Sequence, residues 1–176
     1  GVIRVNEVEE LFDVASALLR QPLPRGNRVG ILTGGGGFGC VTSDACARLG
    51  LDVAPLSPVT IERLNKVLPD RWPHANPVDT VASGNVTYPC IWPLLEDENL
   101  DALMVIGGIG QAGMMSRMAQ SNMQALAQQA DDAPSLLERA QEISQKYQEE
   151  ELVHLDKLIE YMDRYQKPVL IFGRGP

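Results

Sequence analysis

The sequence has only three cysteines, Cys40, Cys46 and Cys90, an odd number without CxxC spacing, which argues against a disulfide scaffold or a zinc site. All three are expected to be small buried residues in a reducing cytoplasm. No apolar run approaches the ~20 residues that cross a bilayer, and no signal peptide is visible, so no membrane partner is expected. Basic side chains are scarce, 15 against 23 acidic, for a formal charge of −8. A surface of that sign repels phosphate backbones, which sets nucleic acid aside as a partner. What the chain does have is 44% apolar content, enough for an ordinary core in one domain of 176 residues.

Periodicity divides the chain into alternating helices and strands. Asn6 with Glu9 predicts a capping box, followed by an amphipathic helix over about 7–20 carrying Val8, Leu11, Phe12, Ala15, Leu18 and Leu19. Arg28–Thr33 reads as a buried strand delivered into Gly34–Gly37. A helix follows with Phe38, Val41, Ala45 and Leu49 on one face, stopped by Gly50. Leu51–Leu56 reads as a second strand, and Ser57 with Pro58 opens a helix whose buried face is Ile61, Leu64 and Leu68. Asn76–Asp79 is a loop or very short strand, and a helix is expected over about 86–96 despite Pro89 and Pro93. Asp101–Ile106 is a third strand, again feeding glycines, Gly107, Gly108 and Gly110. The stretch 111–166 is helical in composition, with Leu136, Ala140, Ile143 and Tyr147 on one face. After a phase slip come Leu152, Leu155, Ile159 and Met162, on the same bent helix or a second one. Residues 168–172 form a fourth strand.

Strands that are apolar along their whole length and alternate with helices imply a parallel sheet covered on both faces. The predicted fold is therefore α/β, a three-layer flavodoxin-like sandwich of four or five mainly parallel strands in the order 2-1-3-4, with a helical insertion at about 111–150. In such sheets ligands gather at the carboxyl ends of the strands. Both glycine clusters sit there.

Gly34, Gly36 and Gly39 satisfy G-x-G-x-x-G between a strand and a helix. A helix start presents unpaired N–H groups and about half a positive charge, and glycines let an anion approach the backbone. A P-loop needs Lys and Ser/Thr after the last glycine, where Cys40 and Val41 stand. A nicotinamide site wants an acid at the end of the second strand, which reads Ala54-Pro55-Leu56-Ser57, with Asp52 too early. A site for a lone phosphate or carboxylate remains, beside the plainer reading of a tight turn that needs glycine for packing.

These residues resemble a known family. Gly1-Val2-Ile3-Arg4-Val5, Leu11-Phe12-Asp13, Pro24-Arg25-Gly26-Asn27-Arg28-Val29, the glycine turn closing on Asp44, and Asn76-Pro77-Val78-Asp79 occur in the order found in NDP-forming acyl-CoA synthetases, relatives of succinyl-CoA synthetase. The similarity covers roughly residues 1–110 and resumes at Lys167-Pro168-Val169-Leu170. It implies the later flavodoxin-like, ligase-CoA domain of an enzyme that interconverts acid, CoA and ATP with acyl-CoA, ADP and phosphate through a phosphorylated histidine. It further implies that this helix steadies the phosphohistidine and that Gly35, Gly36, Gly37, Phe38 and Gly39 face the phosphate. Asn76 and Asp79 would shape the adjoining loop, and Gly107, Gly108 and Ile109 a loop near the acyl and phosphate groups. No catalytic residue is expected in this chain, because the family's histidine lies before the Gly1-Val2-Ile3 stretch. The chain would be a fragment of a multidomain cytoplasmic protein, inactive alone. CoA, nucleotide and Mg are implied for the full enzyme and none for this domain by itself. The implied partners are CoA-binding, phosphohistidine and ATP-grasp domains, fused or in a partner subunit, and a homo-oligomer stays open. Two departures stand out: Gly37-Phe38 replaces the usual glycine-proline pair, and residues 111 to about 150 exceed the single helix expected there. They motivate an alternative, a degenerate module that binds another protein.

Of the remaining polar residues, His74 lies in a proline-rich loop whose neighbours do not match the phosphorylated segment. His154 sits among Glu149, Glu150, Glu151 and Asp156, which reads as a solvated face without metal-ligand spacing. Asp79 either stabilises its loop, the preferred reading, or serves the active site, and Asp44 is read as facing away from the turn. Met114, Met115, Met118 and Met123 read first as core filling, with an adaptable pocket or partner surface as the alternative.

Overall fold

The computed structural model describes residues 2–81, 86–110, 121 and 133–172. Met114, Met115, Met118 and Met123, with most of the expected insertion, lie outside the described residues. The apolar runs form strands β1 (Arg28–Thr33), β2 (Asp52–Val53), β3 (Val78–Asp79), β4 (Ala102–Ile106) and β5 (Val169–Phe172). Between them lie helices α1 (Val8–Arg20), α2 (Gly36–Arg48), α3 (Pro58–Asn65), α4 (Thr87–Glu96) and α5 (Ala133–Tyr165). Every strand pairing is parallel and the order is β2-β1-β4-β5, the flavodoxin-like order expected.

β1 is the hub. On one edge β2 pairs with its start, Arg28 and Val29, and β3 with its end, Leu32 and Thr33. The Asn76 side chain bridges the gap between them. Its Nδ2 donates to the carbonyls of Val29 and Ala54 at 2.8 Å each, and its Oδ1 accepts from the Ile31 N–H at 2.9 Å. Asn76 thus satisfies backbone groups that the broken ladder leaves without strand partners. Alternation then sorts the strands onto two faces. Leu32, Leu103, Val105 and Val169 pack with Leu64, Leu94, Leu95 and Leu158 of α3, α4 and α5. Val29, Ile31 and Ala102 pack on the other face against Cys46 of α2.

Charge braces the amino edge of the sheet. Asp101 accepts from the Arg28 backbone N–H and from its guanidinium Nε and NH2, at 2.8–3.1 Å. Lys167 Nζ donates to the carbonyls of Leu95 and Asp97, at 2.8 and 2.6 Å, placing a cation at the end of α4 where helix carbonyls lack partners.

Local expectations held where capping chemistry was simple. Ser57 Oγ accepts from the Thr60 N–H at 3.2 Å with Pro58 opening α3, and α4 forms with Pro93 inside it. Others need correction. The Asn6–Glu9 capping box does not form: Glu10 accepts the Asn6 N–H, and Glu7 caps the helix without a side-chain bond. The second strand shrinks to two residues because Asn76 takes the place of further pairing. Phe38, Val41 and Leu49 face solvent, since the small residues Gly39 and Cys46 are what bring α2 against the sheet. Cys40 is exposed on the same helix, while Cys46 and Cys90 are buried. α5 is one helix, and its inward face is Leu155, Leu158 and Met162, with Leu152 and Ile159 exposed. α1 forms where expected but buries none of its residues. Among the described residues no helix is long and apolar enough to cross a membrane.

Candidate anion site at the carboxyl rim

Parallel strands carry their following loops to one edge, and here β1, β3 and β4 deliver Gly34–Gly37, Asp79 and Gly107–Gly110 to it. Gly35 is the N-cap of α2 in an extended conformation, and no acidic residue lies in the first turn. The helix dipole is therefore not offset from within its own sequence.

The amides of the turn divide into two groups. Gly35 N–H donates to Thr33 Oγ1 at 3.2 Å, and Phe38 and Gly39 N–H groups donate to the Gly35 carbonyl at 3.1 and 3.4 Å. Gly36 and Gly37 N–H groups have no partner among the described residues. A Cβ placed on Gly34, Gly35 or Gly37 would meet nothing within 4 Å, so the surface there is open. Gly39 does a different job. It is buried, and a Cβ there would stand 3.3 Å from Pro77 and 3.4 Å from Thr33, so its smallness sets how closely α2 approaches β1 and the β3 loop. Phe38 points into solvent and is 67% exposed.

Asp79, which the resemblance assigns to the adjoining loop, stands next to the turn. Its Oδ1 accepts from the Val81 N–H at 2.8 Å, the loop-stabilising bond the sequence suggested. Its Oδ2 lies 3.1 Å from where a Cβ of Gly36 would be. The carboxylate thus stands beside the open helix start. The β1–β3 register that brings it there, Thr33 opposite Asp79, carries no local sequence signal.

The second glycine loop is pinned from below. Gly107, Gly108 and Gly110 all have positive φ, between 74° and 81°, which favours glycine. A Cβ on Gly108 would collide with the Thr87 side chain. Gly107 N–H donates to the Phe172 carbonyl at 2.8 Å, and the Ile109 side chain is buried in the core. Gly34 N–H reaches the Ile106 carbonyl at 3.4 Å, tying the two glycine clusters together.

The histidines lie apart from this constellation. The His74 ring nitrogens contact Asn65 Oδ1 at 2.8 Å and the Asp70 carbonyl at 3.0 Å. His154 stacks on Tyr88 with ring centres 4.4 Å apart, so it belongs to the α4–α5 interface and not to a solvated face. A cavity of about 350 Å³ opens at the opposite, amino edge; of its three cations, Arg25, Arg28 and Lys167, the last two are engaged by Asp101 and by backbone carbonyls. Among the described residues no group of three or more His, Cys, Asp or Glu is placed to hold a metal ion.

No family model matches the chain. Over 108 residues, 60% of its length, the chain is 43% identical to the alpha subunit of an ADP-forming acetate–CoA ligase II of Pyrococcus furiosus, and it spans 23% of that protein. A Pyrococcus horikoshii protein of known crystal structure is 30% identical, with a TM-score of 0.56 over 96% of this chain and 37% of that one. The chain thus resembles part of the ADP-forming acetate–CoA ligases. A dinucleotide-forming acetyl-coenzyme A synthetase 1 of Candidatus Korarchaeum cryptofilum, 19% identical, shares the fold with a TM-score of 0.57 over 93% of this chain and 41% of that one. The chain spans about a quarter to two fifths of the lengths of these proteins.

Proposed function

We propose that this chain is the domain of an NDP-forming acyl-CoA synthetase that holds the phosphoryl group of a phosphohistidine, or the derived acyl phosphate, at the N-terminus of α2. The full reaction is acid, CoA and NTP to acyl-CoA, NDP and phosphate, run in either direction. The observation that carries the reading is the pair of unengaged amides, Gly36 and Gly37, on an open surface at the end of β1. Preorganised donors of this kind stabilise developing charge by about 3–4 kcal/mol each.

Asp79 favours phosphohistidine over a free dianion. A free phosphate meets the amides on one side and a carboxylate on the other, and like charges repel. A phosphohistidine presents oxygens to Gly36 and Gly37 and, with its ring protonated, an imidazolium N–H to Asp79 Oδ2, so both features are used. In this reading the family expectation narrows from five amides to two. Gly39 and Ile109 support the site, and Asn76 holds the β-strands beneath it. The histidine, CoA, nucleotide and Mg belong to other domains, in the same cytoplasmic protein or a partner subunit. The exposed apolar face of α1, including Leu11, Phe12 and Leu19, gives those domains a surface to pack on. The deciding test is phosphate transfer from labelled ATP in the full protein: Gly36→Val stops labelling if the reading holds, and labelling at the normal rate refutes it.

A further inference from the structure

Three consecutive acids, Glu149, Glu150 and Glu151, read from sequence as one wet charge run, yet the phase of α5 treats them differently. Glu149 and Glu150 are exposed. Glu151 lies one turn before Leu155, on the side of the helix that turns to the core at Leu155, Leu158 and Met162. Its Oε1 accepts the backbone N–H of Gly110 at 2.6 Å and sits 3.5 Å from the Tyr88 hydroxyl. Burial, with Glu151 adding to it, raises the Tyr88 phenol well above its ordinary value, so the hydroxyl stays a donor. Stacking of Tyr88 on His154, one turn along from Glu151, fixes α4 and α5 against each other at this point.

The loop it holds is already tied at Gly107 and Ile109, and Glu151 supplies the tie at its far end. Three of its four residues are glycines at positive φ. Gly107 is tied to β5 and Ile109 is anchored in the core, which leaves Gly110 to the carboxylate. We propose that Glu151 is a positioning residue that sets the backbone of loop 107–110 for the acyl or phosphoryl group, so that α5 acts as a support of the active site. This rests on the phosphate-site reading above. A charge-assisted bond to a single backbone N–H restrains a glycine loop more than its neutral counterpart.

The test compares Glu151→Ala, Glu151→Gln and the neighbour control Glu150→Ala in the full protein. Hydrogen exchange of the peptide covering 107–110 is expected to quicken about tenfold or more in Glu151→Ala. It should quicken less in Glu151→Gln, which keeps an acceptor without the charge, and stay near wild type in Glu150→Ala. KM for inorganic phosphate should rise about tenfold in Glu151→Ala, with KM for nucleotide unchanged. Exchange equal to that of Glu150→Ala overturns the proposal, as does faster exchange with an unchanged phosphate KM. In the latter case the Gly36 reading survives if Gly36→Val still abolishes labelling. If Gly36→Val labels normally, the phosphate site fails first and this proposal falls with it.

Discussion

Gly36→Val separates the function of the glycine turn from its packing. Gly36 is the first residue of α2, where its N–H has no helical partner to lose. Valine in a helix is about 0.4 kcal/mol better than glycine by intrinsic propensity. The new Cβ would sit 3.1 Å from Asp79 Oδ2, so the half-buried carboxylate must move by a few tenths of an ångström. The two effects oppose, and the net change in folding stability is expected to be under about 1 kcal/mol, about 2–4 °C in melting temperature for a chain of this size. Catalysis should respond far more. The branched side chain occupies the space over the Gly36 and Gly37 amides and displaces Asp79. Loss of one such donor costs about 2.7–4 kcal/mol, or roughly 10²–10³ in rate. The assay pairs thermal melting with the rate of histidine phosphorylation and of phosphate-dependent acyl-CoA cleavage in the full protein. A variant that melts normally and turns over within twofold of wild type refutes the anion-site reasoning. One that loses activity only because it melts 10 °C lower points to packing instead.

Four further outcomes follow from the same geometry. Asn76→Ala strands the Ile31 N–H and the Val29 and Ala54 carbonyls, and should cost about 3 kcal/mol in denaturant unfolding, with Asn76→Asp restoring only the acceptor half. Lys167→Ala removes both bonds to the end of α4 and should cost about 2 kcal/mol, read by urea midpoint. The Arg28 guanidinium, bonded to Asp101, holds that carboxyl below its ordinary value against the opposing effect of burial. The stabilisation is therefore full above the unfolded carboxyl pKa of about 4 and is lost as pH falls through the lower folded value; Asp101→Asn should flatten this acid limb of a Tm–pH profile. Burial pushes the Cys90 thiol up to about 12 and also raises Cys46, whereas Cys40 is exposed. One thiol should react quickly with a disulfide reagent at pH 8 in the native chain, and all three after unfolding.

Much of the architecture was readable because hydrophobic period and punctuation agree. The apolar strands, the Ser57-Pro58 helix start and the glycine turns each have a local cause, and their alternation gives a parallel sheet in the observed order. What failed to show lies in contacts between distant residues. The stripe Phe38–Val41–Ala45–Leu49 has helical spacing, yet the sheet is met by the small residues Gly39 and Cys46, because close helix–strand approach rewards small volume over apolarity. Likewise the inward face of α5 is set by where α4 stands, which turns Leu158 and Glu151 inward and leaves Leu152 and Ile159 wet. Asn76 reads as a loop residue and acts as a substitute for strand pairing. At the site, glycine spacing indicated a helix start but not which amides are free. That depends on Thr33 and on the Gly35 carbonyl taking three of the five.

The electrostatics of the chain bear on why its anion should arrive attached to protein. With a net charge of −8 the domain repels phosphate at long range, and Asp79 does so again at contact. Salt screens the first over about 8–10 Å but leaves the second, which acts within a few ångströms of the amides. Two backbone donors and a helix dipole are modest against that opposition for a diffusing dianion. A phosphoryl group carried on a histidine side chain is held at high local concentration by its own polypeptide and turns the carboxylate from a repulsive neighbour into a hydrogen-bond acceptor. Free phosphate should then bind the isolated chain weakly, and Asp79→Asn should strengthen that binding while slowing phosphotransfer in the full protein. Opposite movement of those two quantities is the signature to look for in calorimetric titration alongside labelling kinetics. If Asp79→Asn weakens both, the carboxylate serves only the Val81 turn, and the amides alone define the site.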